Sequence, residues 1–308
     1  MDKVKIFVTG ANGFIGKNLV KKLVNQEDYS IYTLTRKPFK LKNEENFNFD
    51  ISDKQKLKEA FESIKPDIVI HLAAAGVKYG EGSLENVFKI NSFLAINMLE
   101  ISKDLKLNPK FIIAGSGFEY SPKNEPLKET DCLNPLSLYG ISKATQSLLL
   151  KRYKDDFTIF LLRFFSVYGA GESKHRFFPY IISEGIKGNK IKLTGCEQVR
   201  DYLNVEDAVD CIVEFIKKEE KYGFYDFNVA TGKEITLKEI VEMVKDNLQK
   251  LGFSPDIEFG ALPYRKDEPM YYVADISKIT KYLDWRPTIS IEEGIRKMIE
   301  EELNEIGR

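Results

Sequence analysis

The sequence predicts an α/β fold, a doubly wound parallel sheet with a smaller second lobe, and three observations carry that prediction. Short apolar, β-branched runs alternate with segments of helical periodicity through the first half of the chain. The first run, Val4 to Val8, leads directly into TGANGFIG (Thr9 to Gly16), which puts glycines where a strand would turn into a helix. From about Gly169 the pattern becomes irregular, with Pro179, Pro255, Pro263, Pro269 and Pro287 in loops.

Strands are expected at Val4 to Val8, Ile31 to Thr35, Phe47 to Phe49, Asp67 to His71, Lys110 to Ala114 and Phe157 to Arg163. Between them the periodicity predicts helices near Phe14 to Asn25, Asp53 to Ser63, Ser83 to Leu105 and Leu136 to Tyr153. Leu203 to Lys217 and Phe224 to Val229 read as a return to the sheet. The expected organisation is a dinucleotide-binding domain over residues 1–167, with 201–230 returning to it, and a substrate-binding lobe over 168–308. The last helix, with Ile291, Ile295, Met298 and Ile299 at helical spacing, reads as a core-facing amphipathic helix.

Composition narrows the function. A chain of 308 residues, 43% hydrophobic and 30% charged, has the make-up of a globular enzyme with a large core. Its net charge of −1, with both signs interspersed, offers no footprint for nucleic acid or an anionic membrane, so a small ligand is the default partner. Cys132, Cys196 and Cys211 have no paired metal-ligand spacing and fit the reduced thiols of a cytoplasm. With His71 and His175 as the only imidazoles, no metal site is expected. No apolar stretch approaches the roughly 18 residues of a membrane span, so the protein is expected to be cytoplasmic.

Each glycine of the first turn answers a steric need: Gly10 the tight turn, Gly13 close approach of backbone to a pyrophosphate, Gly16 packing of helix on sheet. Asn12, Phe14 and Ile15 complete this loop, whose first helical N–H groups and positive dipole end suit an anion. Farther on, Tyr139 and Lys143 form YxxxK, a spacing that sets both side chains on one helix face. A free phenol, with a pKa of about 10, is a poor acid or base near neutrality, and a neighbouring ammonium lowers that value. An exposed helix pair is the alternative. Ser116 falls at the end of an apolar strand in IIAGSGFEYS, where parallel sheets carry ligand-facing groups; a serine capping its own turn is the alternative there.

With the glycine loop, the strand-end serine and YxxxK in that order, the chain resembles the extended short-chain dehydrogenase/reductase family, the NAD-dependent epimerase/dehydratase type that modifies nucleotide sugars on a Rossmann-type fold. TGANGFIG is similar to its TGxxGxxG loop, and Asp50-Ile51 to its acidic-aliphatic pair at the adenine. HLAAAG (His71 to Gly76), with Leu72, Ala73, Ala74 and Ala75, is similar to the segment lining the cofactor, and Asn91 occupies the helix position after it. LLRFFSVYG (Leu161 to Gly169) resembles LRxxNVYG, with Ser166 in place of the usual Asn. RDYLNVEDA (Arg200 to Ala208) resembles RDxxxVxD, whose arginine meets the nucleotide diphosphate, and Arg265 falls where a second phosphate-binding arginine is usual. The resemblance implies that Ser116, Tyr139 and Lys143 are catalytic, with hydride exchange at a sugar carbon, Tyr139 protonating the alkoxide, Ser116 stabilising it, and Lys143 tuning Tyr139 and holding the cofactor ribose.

Cofactor and reaction are read from smaller differences. NAD-specific members place an acid at the end of the second strand; here the strand runs into Arg36 and Lys37, which suit the 2′-phosphate of NADP(H), with NAD(H) the alternative. The family's 4,6-dehydratases carry Thr-Asp-Glu where this chain has Ser116-Gly117-Phe118, and Glu119, one place later, is a poor substitute. The segment is closest in pattern to 4-keto-6-deoxy nucleotide-sugar reductases. The expected activity is therefore NADPH-dependent reduction of such a sugar. The alternatives are an NAD-dependent 4-epimerase of UDP-hexose type and a non-catalytic cofactor-binding member. Phe88, Phe93, Ile96, Leu148, Leu149 and Leu150 give two helices more than one apolar face, and in the family that pair builds a four-helix interface, which implies a homodimer.

Overall fold

The computed structural model describes residues 3–35, 44–77, 82–265 and 268–307. The chain folds as two compact units. The first comprises Met1–Ser121, Glu129–Phe164 and Val209–Asn228. Its strands are β1 (Val4–Thr9), β2 (Tyr29–Thr35), β3 (Glu44–Asn48), β4 (Ile68–His71), β5 (Lys110–Ser116) and β6 (Thr158–Phe164). They run parallel in the order β6-β5-β4-β1-β2-β3, and the strand Gly223–Val229 adds a seventh beside β6. The sheet is covered by α1 (Phe14–Leu23), α2 (Lys54–Ile64), α3 (Leu84–Phe88), α4 (Leu94–Asp104) and α5 (Leu138–Leu150).

The expected fold is present, and its core explains why. Ile6, Phe7, Val8, Val69, Ile70, Phe111 and Ile113 are buried to 1% exposure or less, as strands covered on both faces require. Phe7 meets Phe61 of α2 edge to face at 5.2 Å, and Phe111 meets Phe157 at 5.3 Å.

The boundaries differ from the sequence expectation for local reasons. Asp53 caps α2 by accepting from Lys56 N at 3.1 Å instead of opening it, and Ser137 caps α5 by accepting from Gly140 N at 3.0 Å. The third strand is Glu44–Asn48, not Phe47 to Phe49. The helix expected over Ser83 to Leu105 is present as α3 and α4 joined through a π-turn at Lys89–Phe93, and Leu150, expected on an additional apolar face, belongs to the core.

The second unit comprises Pro122–Lys128, Phe165–Ala208 and Val229–Arg308. It holds short sheets: Ser166–Tyr168 with Tyr202–Asn204, Lys190–Lys192 with Asp256–Glu258, and a trio of Ile235–Thr236, Val199–Arg200 and Tyr271–Tyr272. Tyr202–Asn204 therefore does not rejoin the large sheet as expected, because it pairs with Ser166–Tyr168. The core here is formed by the helices Phe177–Lys187, Leu237–Lys250 and Ile291–Glu305, through residues such as Ile182, Val244, Leu248, Ile295 and Ile299. Among the described residues no helix is long and apolar enough to cross a membrane.

Asp201, fully buried, organises this unit's loops. Its carboxylate accepts from Thr231 N and Gly232 N at 2.8 Å each, from Thr231 Oγ1, and from Ala274 N at 3.3 Å. Removing it strands several buried donors at once. Asp201→Ala is expected to cost on the order of 3–5 kcal/mol in urea-induced unfolding, and a loss below about 1 kcal/mol would contradict this role.

Candidate active site

The polar side chains of the first unit gather where its strands end. At β1, Gly10 has φ +73°, and a Cβ there would lie 2.5 Å from Ala73 N and 2.6 Å from the Leu72 carbonyl carbon. The glycine turn and the segment after β4 thus meet backbone to backbone, tied by Leu72 N to Thr9 O at 3.1 Å. A Cβ on Gly16 would stand 2.1 Å from Gly10 O, so this glycine packs α1 onto the turn itself, closer in than the sheet contact expected for it. Gly13 is the N-cap of α1, with no side-chain cap and no acid in the first turn. The helix's leading N–H groups and positive dipole end are left to an anion, and Asn12, Phe14 and Ile15 lie in the same turn.

Of the other expected cofactor residues, Asp50 is exposed and accepts from Ser52 N at 2.9 Å, while Ile51 is buried in the core with Phe7 and Leu34. Asn91 sits in the π-turn, wholly buried, and grips the loop after β4: its Oδ1 accepts from Ala75 N at 2.8 Å and its Nδ2 donates to Ala75 O at 2.9 Å. The same Nδ2 reaches Ser142 Oγ on α5 at 2.9 Å, and Ser92 Oγ donates to Ser142 O at 2.7 Å. The π-turn turns two polar side chains toward α5, so Asn91 holds the loop in shape. Arg36 and Lys37 lie outside the described residues.

Ser116 closes β5 and is 4% exposed. Its Oγ accepts from Phe118 N at 3.2 Å, which caps the following turn and leaves the hydroxyl's own hydrogen to donate. Glu119 completes the capping box by accepting from Ser116 N at 2.8 Å. Helix α5 approaches this turn closely because residue 140 is glycine: a Cβ there would lie 2.3 Å from Phe118 O. Tyr139, half-buried, and Lys143, 1% exposed, are one helical turn apart on α5.

The Lys143 ammonium donates to Ala114 O at 2.7 Å and to Gln146 Oε1 at 3.3 Å. Burial pulls its pKa down to about 8, against the opposing pull of Glu119. His71 ends β4 and shares a 2.7 Å hydrogen bond through Nδ1 with Thr9 Oγ1. Its burial, and then the Lys143 charge, lower its pKa to about 3, and its Nε2 has no hydrogen-bond partner among the described residues.

Ser116, Tyr139 and Lys143 are therefore assembled in the first unit with the glycine turn, residues 72–75 and Asn91. The sequence reading assigned no role to Glu119, Gly140, His71 or Gln146; Gly140, inside the YxxxK itself, was the legible signal. The other expected residues lie in the second unit. Ser166 is half-buried in Ser166–Tyr168, Arg265 is exposed, and the buried Arg200 donates to Val199 O at 2.9 Å and pairs with Glu268.

A parallel sheet with a glycine turn and a strand-end serine, packed against a helix that carries a tyrosine and a lysine one turn apart, defines a nicotinamide-dependent enzyme of the dehydrogenase/reductase class. The profile of the NAD dependent epimerase/dehydratase family matches residues 6–230, and the chain belongs to that family. It is 30% identical to CDP-abequose synthase of Salmonella muenchen, over 96% of this chain and 97% of that one. To UDP-glucuronate 4-epimerase of Thermodesulfobacterium geofontis it is 32% identical, over 95% and 94%. Its fold is similar to the crystal structure of UDP-glucose 4-epimerase from Thermotoga maritima, with a TM-score of 0.86, 24% identity, and coverage of 98% of this chain and 100% of that one.

The His71 shift sets a stability slope. Unfolded, this imidazole takes a proton near pH 6.5; folded, it resists until about pH 3, so the unfolded chain binds more protons in between. Stability is complete above pH 6.5 and falls as the pH drops, by on the order of 3 kcal/mol at pH 4.5. His71→Gln should remove that part of the slope in urea unfolding at pH 7 and 4.5; identical slopes in the two proteins would refute it.

Proposed function

We propose that the protein is an NADPH-dependent 4-ketoreductase that converts a 4-keto-6-deoxy nucleotide sugar into a deoxysugar donor. The observation that carries this reading is the meeting of α5 and the Ser116 turn through Gly140, which brings the strand-end hydroxyl to the helix of Tyr139 and Lys143. The uncapped start of α1 and the turn that no Cβ could enter at Gly10 and Gly16 fit a dinucleotide's phosphates. Gly10, Gly13 and Gly16 with Asn12, Phe14 and Ile15 would hold the pyrophosphate, Asp50 and Ile51 the adenine side, and residues 72–75 the inner face. Lys143 would hold the ribose. NADPH, when bound, supplies the hydride.

The chain's own groups handle the proton and the charge. At a pKa of about 8 the Lys143 ammonium remains mostly charged near neutrality, and a positive charge one helical turn from Tyr139 would favour proton release from that phenol. Tyr139 then protonates the oxygen at the reduced carbon, while the Ser116 hydroxyl donates to the same oxygen as negative charge develops there. His71 stays neutral at this pH, so Lys143 supplies the positive charge. Ser166, Arg200 and Arg265 are assigned to the nucleotide sugar; Arg200 would exchange Glu268 for a diphosphate oxygen.

Reduction is favoured over elimination because Gly117 and Phe118 carry no acid or base, and Glu119 is wholly buried and engaged by three donors. It is favoured over epimerisation because Arg36-Lys37 suits an exchanging, phosphorylated cofactor. The likeness to UDP-glucuronate 4-epimerase keeps a bound-NAD epimerase as the second reading. The free Cys132, Cys196 and Cys211 suit a cytoplasmic setting.

Incubated with NADPH and a 4-keto-6-deoxy nucleotide sugar, the protein should consume cofactor stoichiometrically. Tyr139→Phe should lower that rate by about 10²–10⁴-fold, and Arg36→Asp should shift preference toward NADH. Interconversion of UDP-hexoses without net cofactor change would instead favour the epimerase, and NADPH binding without any turnover would leave a non-catalytic protein.

A homodimer is part of this reading. Leu84, Phe93 and Leu148 are 65%, 49% and 57% exposed on α3, the π-turn and α5, and Leu84, Phe88 and Phe93 line a groove with Glu85 and Lys89. Sedimentation should give a dimer that Leu148→Glu converts to monomer; a monomeric parent at micromolar concentration would reject the interface.

A further inference from the structure

Behind the proposed catalytic groups lies a buried ionic cluster that the reaction as written does not use. Glu119 is 0% exposed. Its Oε1 accepts from Ser116 N at 2.8 Å; its Oε2 accepts from Ser147 Oγ at 2.6 Å and from Arg163 Nε at 2.8 Å. Arg163, 1% exposed, continues the cluster: its Nη1 donates to Asp226 Oδ2 at 2.7 Å and to Tyr120 Oη at 3.1 Å, and Tyr120 Oη donates to Asn228 Oδ1 at 2.7 Å. The chain makes room for it, since a Cβ on Gly115 would come within 2.8 Å of Glu119 Oε1 and 3.1 Å of Arg163 Cγ.

Stability alone does not account for such a cluster. Desolvating a carboxylate and a guanidinium costs several kcal/mol per ion, and well-packed apolar side chains of similar volume often do as well or better. What the ion pair adds is fixed geometry, and two of the three groups that donate to Glu119 belong to elements of the site. One oxygen holds the backbone of Ser116. The other holds Ser147, the residue one turn beyond Lys143 on α5. A single rigid carboxylate thus ties the strand end bearing the hydroxyl to the helix bearing the phenol and the ammonium.

We propose that Glu119 is a positioning residue for the reaction, fixing Ser116 against α5 and holding a carboxylate against that helix at Ser147. The proposal rests on the reductase reading of Ser116, Tyr139 and Lys143. The titratable groups around Lys143 are His71 from β4, Glu119 from the turn after β5 with Arg163 of β6 behind it, and Tyr139 on α5 itself; the π-turn contributes only the uncharged Asn91 and Ser92. His71 is neutral, so Glu119 is the negative charge that opposes the effect of burial on Lys143. Without it that negative charge is lost, so the ammonium gives up its proton at lower pH, while Arg163 keeps Asp226 as a partner.

The test compares parent, Glu119→Gln and Glu119→Asp by the pH dependence of kcat in ketosugar reduction, with thermal melting and NADPH binding measured alongside. Glu119→Gln should move the alkaline limb of kcat down by roughly one pH unit while NADPH binding persists. Glu119→Asp retains the charge but shortens the reach, so its limb should stay with the parent's while kcat falls about tenfold or more. An unmoved limb in a folded Glu119→Gln protein overturns the proposal. If Glu119→Gln does not fold, parental kcat or a shifted limb in Glu119→Asp overturns it equally. An inactive parent would refute the reductase reading instead, a distinct outcome.

Discussion

The Lys143 ammonium is withdrawn almost wholly from water, and much of the first unit's geometry answers that one constraint. A buried cation is tolerable only where acceptors are already fixed around it. The strand carbonyl of Ala114 and the amide oxygen of Gln146 provide them, which demands that α5 lie hard against the end of β5. Only a residue without a Cβ at position 140 allows this, since the Phe118 carbonyl occupies the space a side chain would take. The arrangement of Ser116, Tyr139 and Lys143 is thus a consequence of backbone packing as much as of side-chain chemistry.

The same demand extends to the neighbouring helix. A regular α-helix through residues 84–104 would carry its polar residues around the axis at an even pitch. The π-turn at Lys89–Phe93 adds a residue to one turn and directs Asn91 and Ser92 onto Ser142 and the loop after β4. Loop and helix are thereby coupled through hydrogen bonds that use both side-chain N–H donors of Asn91 and its amide oxygen.

The large sheet was legible because its strands are continuous apolar runs, and Tyr139, Lys143 and Ser116 were legible because spacing and strand ends are local properties. The π-turn was not: one inserted residue barely alters a hydrophobic pattern. Glu119 was hidden for a different reason. In GSGFEYS it reads only as a poor substitute for a dehydratase acid or base, and its meaning depends on Ser147 and Arg163, 28 and 44 residues away in the chain. Arg200 likewise read as a free phosphate ligand, because its pairing with Glu268 crosses 68 residues. Long-range pairing of charges leaves no local trace.

Polarity along the strands locates the chemistry independently of any motif. Each central strand is apolar through its middle, Ile6 to Val8 in β1, Ile68 to Ile70 in β4, Phe111 to Ile113 in β5, and carries its buried polar residue at the carboxyl end, at Thr9, His71 and Ser116, whereas Lys5 and Lys110 at the amino ends are partly exposed. Those terminal residues remain buried, so solvent exposure does not explain them. Where a sheet meets water on one edge, polar residues are exposed; where they are buried and bonded to one another, as Thr9 is to His71, they organise an interior. The His71 imidazole, with no partner for its Nε2 among the described residues, stays neutral well below its ordinary range because burial and the neighbouring ammonium both oppose a second positive charge. The site therefore depends on the integrity of the whole carboxyl edge, because the packing that buries Lys143 works against its charge and only the acceptors and the carboxylate fixed around it oppose that effect.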